Sequence, residues 1–546
     1  MKVHHLLGAR RVAGVLSLLL LSACGGSGGG DEEGRSTGTT VSTNTVAFSV
    51  DAPDAATPEA QVVTVTFGEN VAHLAIIHTG NGVATVTSST SGRTAQITIA
   101  PQPPSSLGSG IFRGTVAITG YFCADATCSS LAAGNTQQIR VDYQVSPVIQ
   151  AIAPYIGIAN VAGSAIIRGV GFASFATQGV RLGDFAATEF GLISDQEIRI
   201  NYPALPAGSY PVQIDIPNHQ GAVQSEAMLV VVEPTAYPAQ ALAYPAGGAT
   251  IRELLYDAER RAIVLATDSA GGSLVRFSHG EAGWEPATST ALSGVQDIAL
   301  STRGSEVLAV VPAALTLVDP VSLATINSIA APSLADGTSL RAIGVMNDDR
   351  ALVTSGRAES NVSPLYLFTA RQGTLTSLST NMNNATPAAT AAGSSMVFVQ
   401  GISSTTTAPP VLVFNTASGQ FDSTPVALTQ NAIPPVVDRT GTRAILNGTN
   451  VYGPTFDLLG TLPAATAAVA VKADGTRAYT YDPSAGGILV FDTSADRDGA
   501  AYSALGSAVA LVGDPGANPR MTISPDGNTL FIAGSTQLIV QPTPTL

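Results

Sequence analysis

The apolar positions of this chain fall into short runs separated by turns, and two patterns of run recur. From about residue 42 to residue 146, runs such as Val62–Phe67 (VVTVTF), Ala95–Ala100 (AQITIA), Gly114–Thr119 (GTVAIT) and Ile139–Val145 (IRVDYQV) are rich in β-branched residues and tend to alternate apolar with polar. Runs of this kind, recurring every ~10–20 residues between turn clusters, predict a β-sandwich. Beyond residue 235 a different unit appears, a polar turn followed by a continuous apolar run. It opens at Asp257 (DAERRAIVL), Thr302 (TRGSEVLAV), Asn347 (NDDRALVT), Ala391 (AAGSSMVFV), Asp438 (DRTGTRAIL), Lys472 (KADGTRAYTY) and Ser524 (SPDGNTLFI). Aligned apolar positions are Ile263, Leu308, Leu352, Val397, Ile445, Tyr479 and Phe531, in steps of 45, 44, 45, 48, 34 and 52 residues. A second apolar run follows most turns: SLVRF from Ser273, LTLVD from Leu315, LYLF from Leu365, VLVFN from Val411, ILVFD from Ile488 and QLIVQ from Gln537. Unbroken apolar runs suit strands covered on both faces.

These patterns predict an all-β chain with a β-sandwich followed by a repeat array, and the resemblance set out below implies a second, immunoglobulin-like β-sandwich between them. A step averaging about 45 residues matches the four-stranded unit of a radial repeat. The forms LVDPVSLATI, VFNTASGQF and VFDTSAD resemble YVTN-type surface-protein β-propellers. Seven turns then imply a seven-bladed β-propeller over residues 235–546. The last repeat runs out after two or three strands, and the segment Ala236–Ala243 (AYPAQALA) is expected to supply the missing outer strand. A solenoid of the same repeats is the rival arrangement, but no segment reads as a capping repeat.

The second unit, residues 147–234, carries Pro147–Pro154 (PVIQAIAP), Ile167–Phe172 (IRGVGF), Val180–Gly183 (VRLG), a Ser194-Asp195 turn and a closing Gly208–Val212 (GSYPV). In that order they resemble IPT/TIG immunoglobulin-like domains. The Gly-x-Gly-Phe turn lets the backbone take positive φ while Phe172 drops into the core. The first unit, residues 42–146, resembles bacterial immunoglobulin-like modules of the BACON type through GTVAITGYFCADATCSS and QQIRVDYQV. His73 and His78 lie five apart in a strand-like run, so alternation sends them to opposite faces and speaks against a shared metal.

The amino terminus reads as an address. Lys2, Arg10 and Arg11 precede the ten-residue apolar run Val12–Leu21, followed by Ser22-Ala23-Cys24. A basic start, a short apolar stretch and small residues before a cut make a secretory signal, too short for the roughly 20 residues that span a bilayer. LSAC at this place resembles the lipobox of bacterial lipoproteins. That resemblance implies a signal peptide over 1–23, a lipid on Cys24, and, with Gly25 following, the outer membrane. Residues 24–41, rich in Gly and Ser, are expected to be a solvated tether. As a whole the chain resembles a bacterial surface lipoprotein.

Composition narrows the partners. Charged residues are 12% of the 546, against 45% hydrophobic, with 55 glycines and 33 prolines, so neither a coiled coil nor a disordered polar chain fits. The formal charge of -14 disfavours nucleic acid. Cys24 aside, Cys123 and Cys128 are an even pair in an exported chain and read as a disulfide that rigidifies a hairpin tip. A redox role is the sharper alternative, but four residues rather than two separate them.

Candidate chemistry is sparse. There is no Gly-x-Ser-x-Gly elbow, His-Glu-x-x-His or phosphate loop. His279 and Trp284, in the first repeat's loop SHGEAGWEP, are the candidate ligand-binding pair; the plainer reading is a loop tryptophan packed on its own blade. Asp496-x-Asp498-Gly499 is half of a calcium-loop pattern without its downstream glutamate, and a solvated turn is the simpler reading. No catalytic residue, metal site or cofactor is assigned. The expected role is recognition of an envelope or surface protein or a glycan by a lipid-anchored propeller. The alternatives are a polysaccharide hydrolase or lyase, for which carboxylates or arginines at one mouth of the channel would speak, and a non-catalytic envelope scaffold.

Overall fold

The computed structural model describes residues 38–545, except residue 176 and the segments 217–221, 246–248, 333, 335–336, 347–349, 358–362, 382–385, 388–395, 401–409, 416–418, 428–432 and 464–465. The signal segment, Cys24 and the tether up to residue 37 lie outside the described residues, as do the repeat turns at 347–349 and 391–395. The described chain is all-β; its one α-helix among the described residues is the four-residue Pro104–Leu107.

Two sheets make the first unit. One runs in the order Thr40–Val41, Gln61–Thr66, Thr94–Pro101, Val83–Ser91; the other runs Thr45–Val50, Gln137–Val145, Gly110–Cys123, His73–Gly80. Alternation decides their faces. In Gln137–Val145, Ile139, Val141, Tyr143 and Val145 are fully buried, while Arg140, Asp142 and Gln144 between them are not. Leu131–Ala133 pairs with the end of Gly110–Cys123, and the turn before it holds the Cys123–Cys128 disulfide, Cα atoms 4.6 Å apart. Asp125 organises that turn. Its carboxylate accepts from Ser129, Thr127 and Ser130, and these bonds, Ser129's foremost, hold its pKa far below the usual range.

The second unit also has two sheets. One contains Val148–Ala153, Gly163–Val170, Glu197–Tyr202 and Glu189–Ser194; the other contains Ile156–Ile158, Val223–Val232, Gly208–Asp215, Gly179–Leu182 and Phe185–Ala186. Phe172 is buried in their shared core, and Gly171 before it takes φ +86°, which a residue with a Cβ resists. Asp195 accepts from the N–H groups of Gly171 and Ala173, so the Ser-Asp turn ties this loop down.

The described residues between 240 and 542 form seven antiparallel sheets. Their first strands are Ile251–Asp257, Asp297–Leu300, Thr338–Val345, Thr386–Pro387, Val436–Val437, Ala468–Val471 and Arg520–Ile523. Every aligned apolar position from Ile263 to Phe531 lies in the second strand of its sheet, and the following apolar runs are third strands. The short 34-residue step follows from the fifth sheet, whose strands have only two to four residues. The 52-residue step spans residues 493–519, whose one named strand is the two-residue Val509–Ala510. Each sheet shares an apolar cluster with the next, for example Leu308 and Val310 with Val353 and Tyr366. The last sheet packs on the first through Phe531, Leu538, Ile263 and Phe277. The arrangement is therefore a closed, β-propeller-like ring. Gln240–Ala243 closes it by pairing antiparallel with Gln537–Pro542.

Candidate functional site: the central cavity of the ring

First strands of six sheets line a cavity of about 550 Å³. Its walls are mostly aliphatic, including Leu255, Ile298, Val345 and Val469, because a strand enclosed on both faces carries few polar side chains. The exceptions sit at the two ends.

At the starts of the first strands, Glu253, Asp297 and Arg520 border the cavity. The backbone holds the acids in place. Asp297 Oδ1 accepts from Ile298 N–H (2.8 Å), its Oδ2 accepts from Ile343 N–H of the next sheet (2.8 Å), and Glu253 Oε1 accepts from Leu254 N–H (3.0 Å). Register shifts in Ile251–Asp257 and Thr338–Val345 place Arg252 and Arg341 as extra residues at this end. Arg520 Nε donates to Arg252 O (3.1 Å), which fixes the guanidinium beside the acids. Burial raises the pKa of both carboxyls. Asp297 is raised well above the carboxylate range, further lifted by the Glu253 charge; Arg520 pulls Glu253 part of the way back. Two carboxyls of raised proton affinity, side by side, can hold or move a proton.

The other end is covered by the second unit. Pro154, Tyr155 and Ile156, between its two sheets, border the cavity together with Thr302, Asp438 and Arg439 from loops that follow first strands. Ile156, Val230 and Ala258 form an apolar contact between unit and ring, flanked by Tyr155, Val232 and Tyr256. Gly304, at φ +69°, is required there, since a Cβ would lie 2.6 Å from the Tyr155 ring. Arg260 Nη1 reinforces the loop by donating to Asp257 Oδ2 and Gly304 O, both at 2.9 Å. Tyr155 is held far above its normal pKa by burial and the nearby Asp257 and Glu259 charges, so its hydroxyl stays protonated.

The sequence-level candidates lie elsewhere. His279 and Trp284 pair across a short hairpin with ring centroids 5.1 Å apart, and neither borders the cavity. They pack with Tyr237 and Phe531 at the seam between the first and last sheets. His279 Nδ1 and Trp284 Nε1 are buried inside this cluster rather than offered to solvent, so packing accounts for the tryptophan. Burial, with the Arg261 charge, lowers the His279 pKa. Asp496 Oδ1 accepts from Asp498 N–H (2.8 Å), a closed Asx turn. Among the described residues no group of three or more His, Cys, Asp or Glu is placed to hold a metal.

Sequence reasoning missed Glu253, Asp297, Arg439, Arg520 and Tyr155. One signal was available. In a chain with so few charges, IRELLYD and DIAL place carboxylates inside otherwise apolar strands.

No protein-family model and no curated protein matches the chain. Solved structures do. Hydrazine synthase of Kuenenia stuttgartiensis is 12% identical and covers 55% of this chain and 97% of its own, with a TM-score of 0.42. The WD40 repeats of RRP9 are 11% identical over 56% of this chain and 100% of theirs, with a TM-score of 0.40. A protein of unknown function from Bacteroides thetaiotaomicron is 12% identical over 72% and 98%, with a TM-score of 0.34. At such identities and scores, the fold and role of this chain rest on its own geometry.

Proposed function

We propose that this chain is an exported, lipid-anchored protein of the bacterial outer membrane. A lipid on Cys24 and a flexible tether carry two immunoglobulin-like modules, of BACON and IPT/TIG type, and these hold a seven-bladed β-propeller. Its work is recognition of an envelope or surface protein or a glycan. The observation that carries this reading is the central cavity, aliphatic along its walls, polar at both ends and covered at one end by the second module. Concave, mostly apolar sites with a few fixed polar groups are the usual form of a ligand pocket. The anchor and address are tested by treating intact cells with protease and blotting for the propeller. Loss of signal places it outside; protection until the outer membrane is broken places it in the periplasm and sinks surface adhesion. Recovery of the chain in the soluble fraction would sink the lipid anchor.

A second reading is favoured by Glu253 and Asp297, two buried carboxyls beside Arg520. Paired acids of raised proton affinity suit general acid–base cleavage of a polysaccharide. New reducing ends released by the wild type but not by Asp297→Asn would establish it. No release from any glycan that binds would leave recognition alone.

A further inference from the structure

The deep arginines of this molecule have partners, with one exception among the described residues. Arg168 is paired with Glu197, Arg260 with Asp257, Arg443 donates to Thr493 O (2.7 Å) and Ser494 O (2.9 Å), and Arg520 lies in the field of Glu253 and Asp297. The Arg439 side chain makes no ion pair and no hydrogen bond to a described residue, and it is half-buried where it borders the cavity. Its neighbour Asp438 does not serve it. That carboxylate is turned into its own loop, where it accepts from Thr440, Thr442 and Arg443 N–H.

The guanidinium borders the cavity at the end covered by the second module. The groups whose fields reach it are the hydroxyls of Tyr155 and Tyr202, both from that module and both kept protonated by burial. Asp257 and Glu259, the acids near Tyr155, are matched by Arg260. A guanidinium keeps its charge and carries five N–H donors. Half-buried at the cavity without a counter-charge, it has its donors open to an anion that enters there. The Tyr155 phenol, which borders the cavity at the same end, can donate to the same anion.

We infer that Arg439 anchors the anionic group, a carboxylate or phosphate, of a small hydroxylated organic ligand that lies along the central cavity. This deepens the recognition reading and rests on it. The far end supports the hydroxylated part, because the Glu253 and Asp297 carboxyls accept hydrogen bonds while Arg520 donates. The site is complete only when the second module is seated on the ring, since Tyr155 comes from it.

The test uses the full chain in detergent and four probes: glucuronate, glucose 6-phosphate, glucose and inorganic phosphate. Calorimetry measures binding, and thermal melting measures stability with and without probe. Glucuronate or glucose 6-phosphate should bind at least ~30-fold more tightly than glucose, and Arg439→Gln should abolish that difference. The discriminating readout is the melt without probe. A structural arginine would lower it on substitution, whereas removing an unpaired charge that faces the cavity leaves it unchanged or raises it. Arg439→Lys keeps the charge but loses the planar fork, so its anion affinity should fall ~10-fold with the fold intact; unchanged affinity overturns the inference. Equal binding of glucose and glucuronate, unaltered by Arg439→Gln, overturns the anion site while leaving cavity recognition standing. No binding of any probe overturns the anion site, and recognition is then judged by the glycan and protein partners sought above.

Discussion

Tyr237 is where closure of the ring can be broken by one substitution. It precedes the closing strand Gln240–Ala243 and is fully buried. Its N–H is hydrogen-bonded to Thr529 Oγ1 in the last sheet (3.1 Å), and its hydroxyl shares a hydrogen bond with Tyr256 in the first (2.8 Å). Its ring lies 4.7 Å from His279 and 5.1 Å from Trp284. Removing a buried aromatic side chain costs about 3–5 kcal/mol through lost transfer and cavity. Leaving the Tyr256 hydroxyl partnerless adds about 1–3 kcal/mol. Tyr237→Ala should therefore destabilise the ring by at least ~4 kcal/mol, and Tyr237→Phe, which loses only the hydrogen bond, by about 1–2 kcal/mol. Trp284 is the chain's one tryptophan, so denaturant unfolding followed by its fluorescence isolates the ring from the two sandwich units. Tyr237→Ala should also shift the native Trp284 emission to the red as water reaches the seam. A loss under ~1 kcal/mol with unshifted emission would show that Tyr237 does not clamp the ring.

Three further outcomes follow from the same geometry. Because burial raises Glu253 and Asp297, the folded chain holds protons more tightly than the unfolded one; their contribution is present below the ordinary carboxyl range near pH ~4 and is lost as pH rises through the raised folded values. Melting temperature against pH should thus fall less steeply for Glu253→Gln than for wild type, and parallel curves would contradict the buried pair. Gly304→Ala forces a Cβ toward the Tyr155 ring at a positive φ, and should loosen the second unit from the ring by about 2–4 kcal/mol; protease cleavage near residues 233–239 at the wild-type rate would refute the contact. Cys123→Ser should cost the first unit about 2 kcal/mol, as expected for so small a loop, with no change in the Trp284 transition; a shifted Trp284 transition would mean the first unit and the ring do not unfold independently.

The local grammar of the chain was legible before any fold was seen. β-rich runs such as IRVDYQV between turn clusters marked the first unit's strands, turn-plus-apolar units marked the second strands, and the unfinished last repeat pointed to Ala236–Ala243 as the closing segment. These features are written in neighbouring residues, because strand pairing reads a period of two and a turn reads its own few side chains. Cys123 and Cys128 were legible for the same reason, being close in sequence. His279 and Trp284 were conspicuous as rare residue types, and rarity did not reveal that they fill a seam.

Tertiary structure alone decided the cavity. Glu253, Asp297 and Arg520 come from the first, second and last sheets, and they meet only because the ring closes. Tyr155 reaches Arg439 only because the second unit seats on the loops after the first strands. A carboxylate in an apolar strand has the same sequence signature whether it faces solvent at an edge or a cavity at a centre. Its environment, and hence its proton affinity, is set by the packing of distant elements. Strand, turn and repeat follow from short-range stereochemistry and were written in the sequence; the grouping of charges around one enclosed space follows from ring closure and domain seating, which no local pattern encodes.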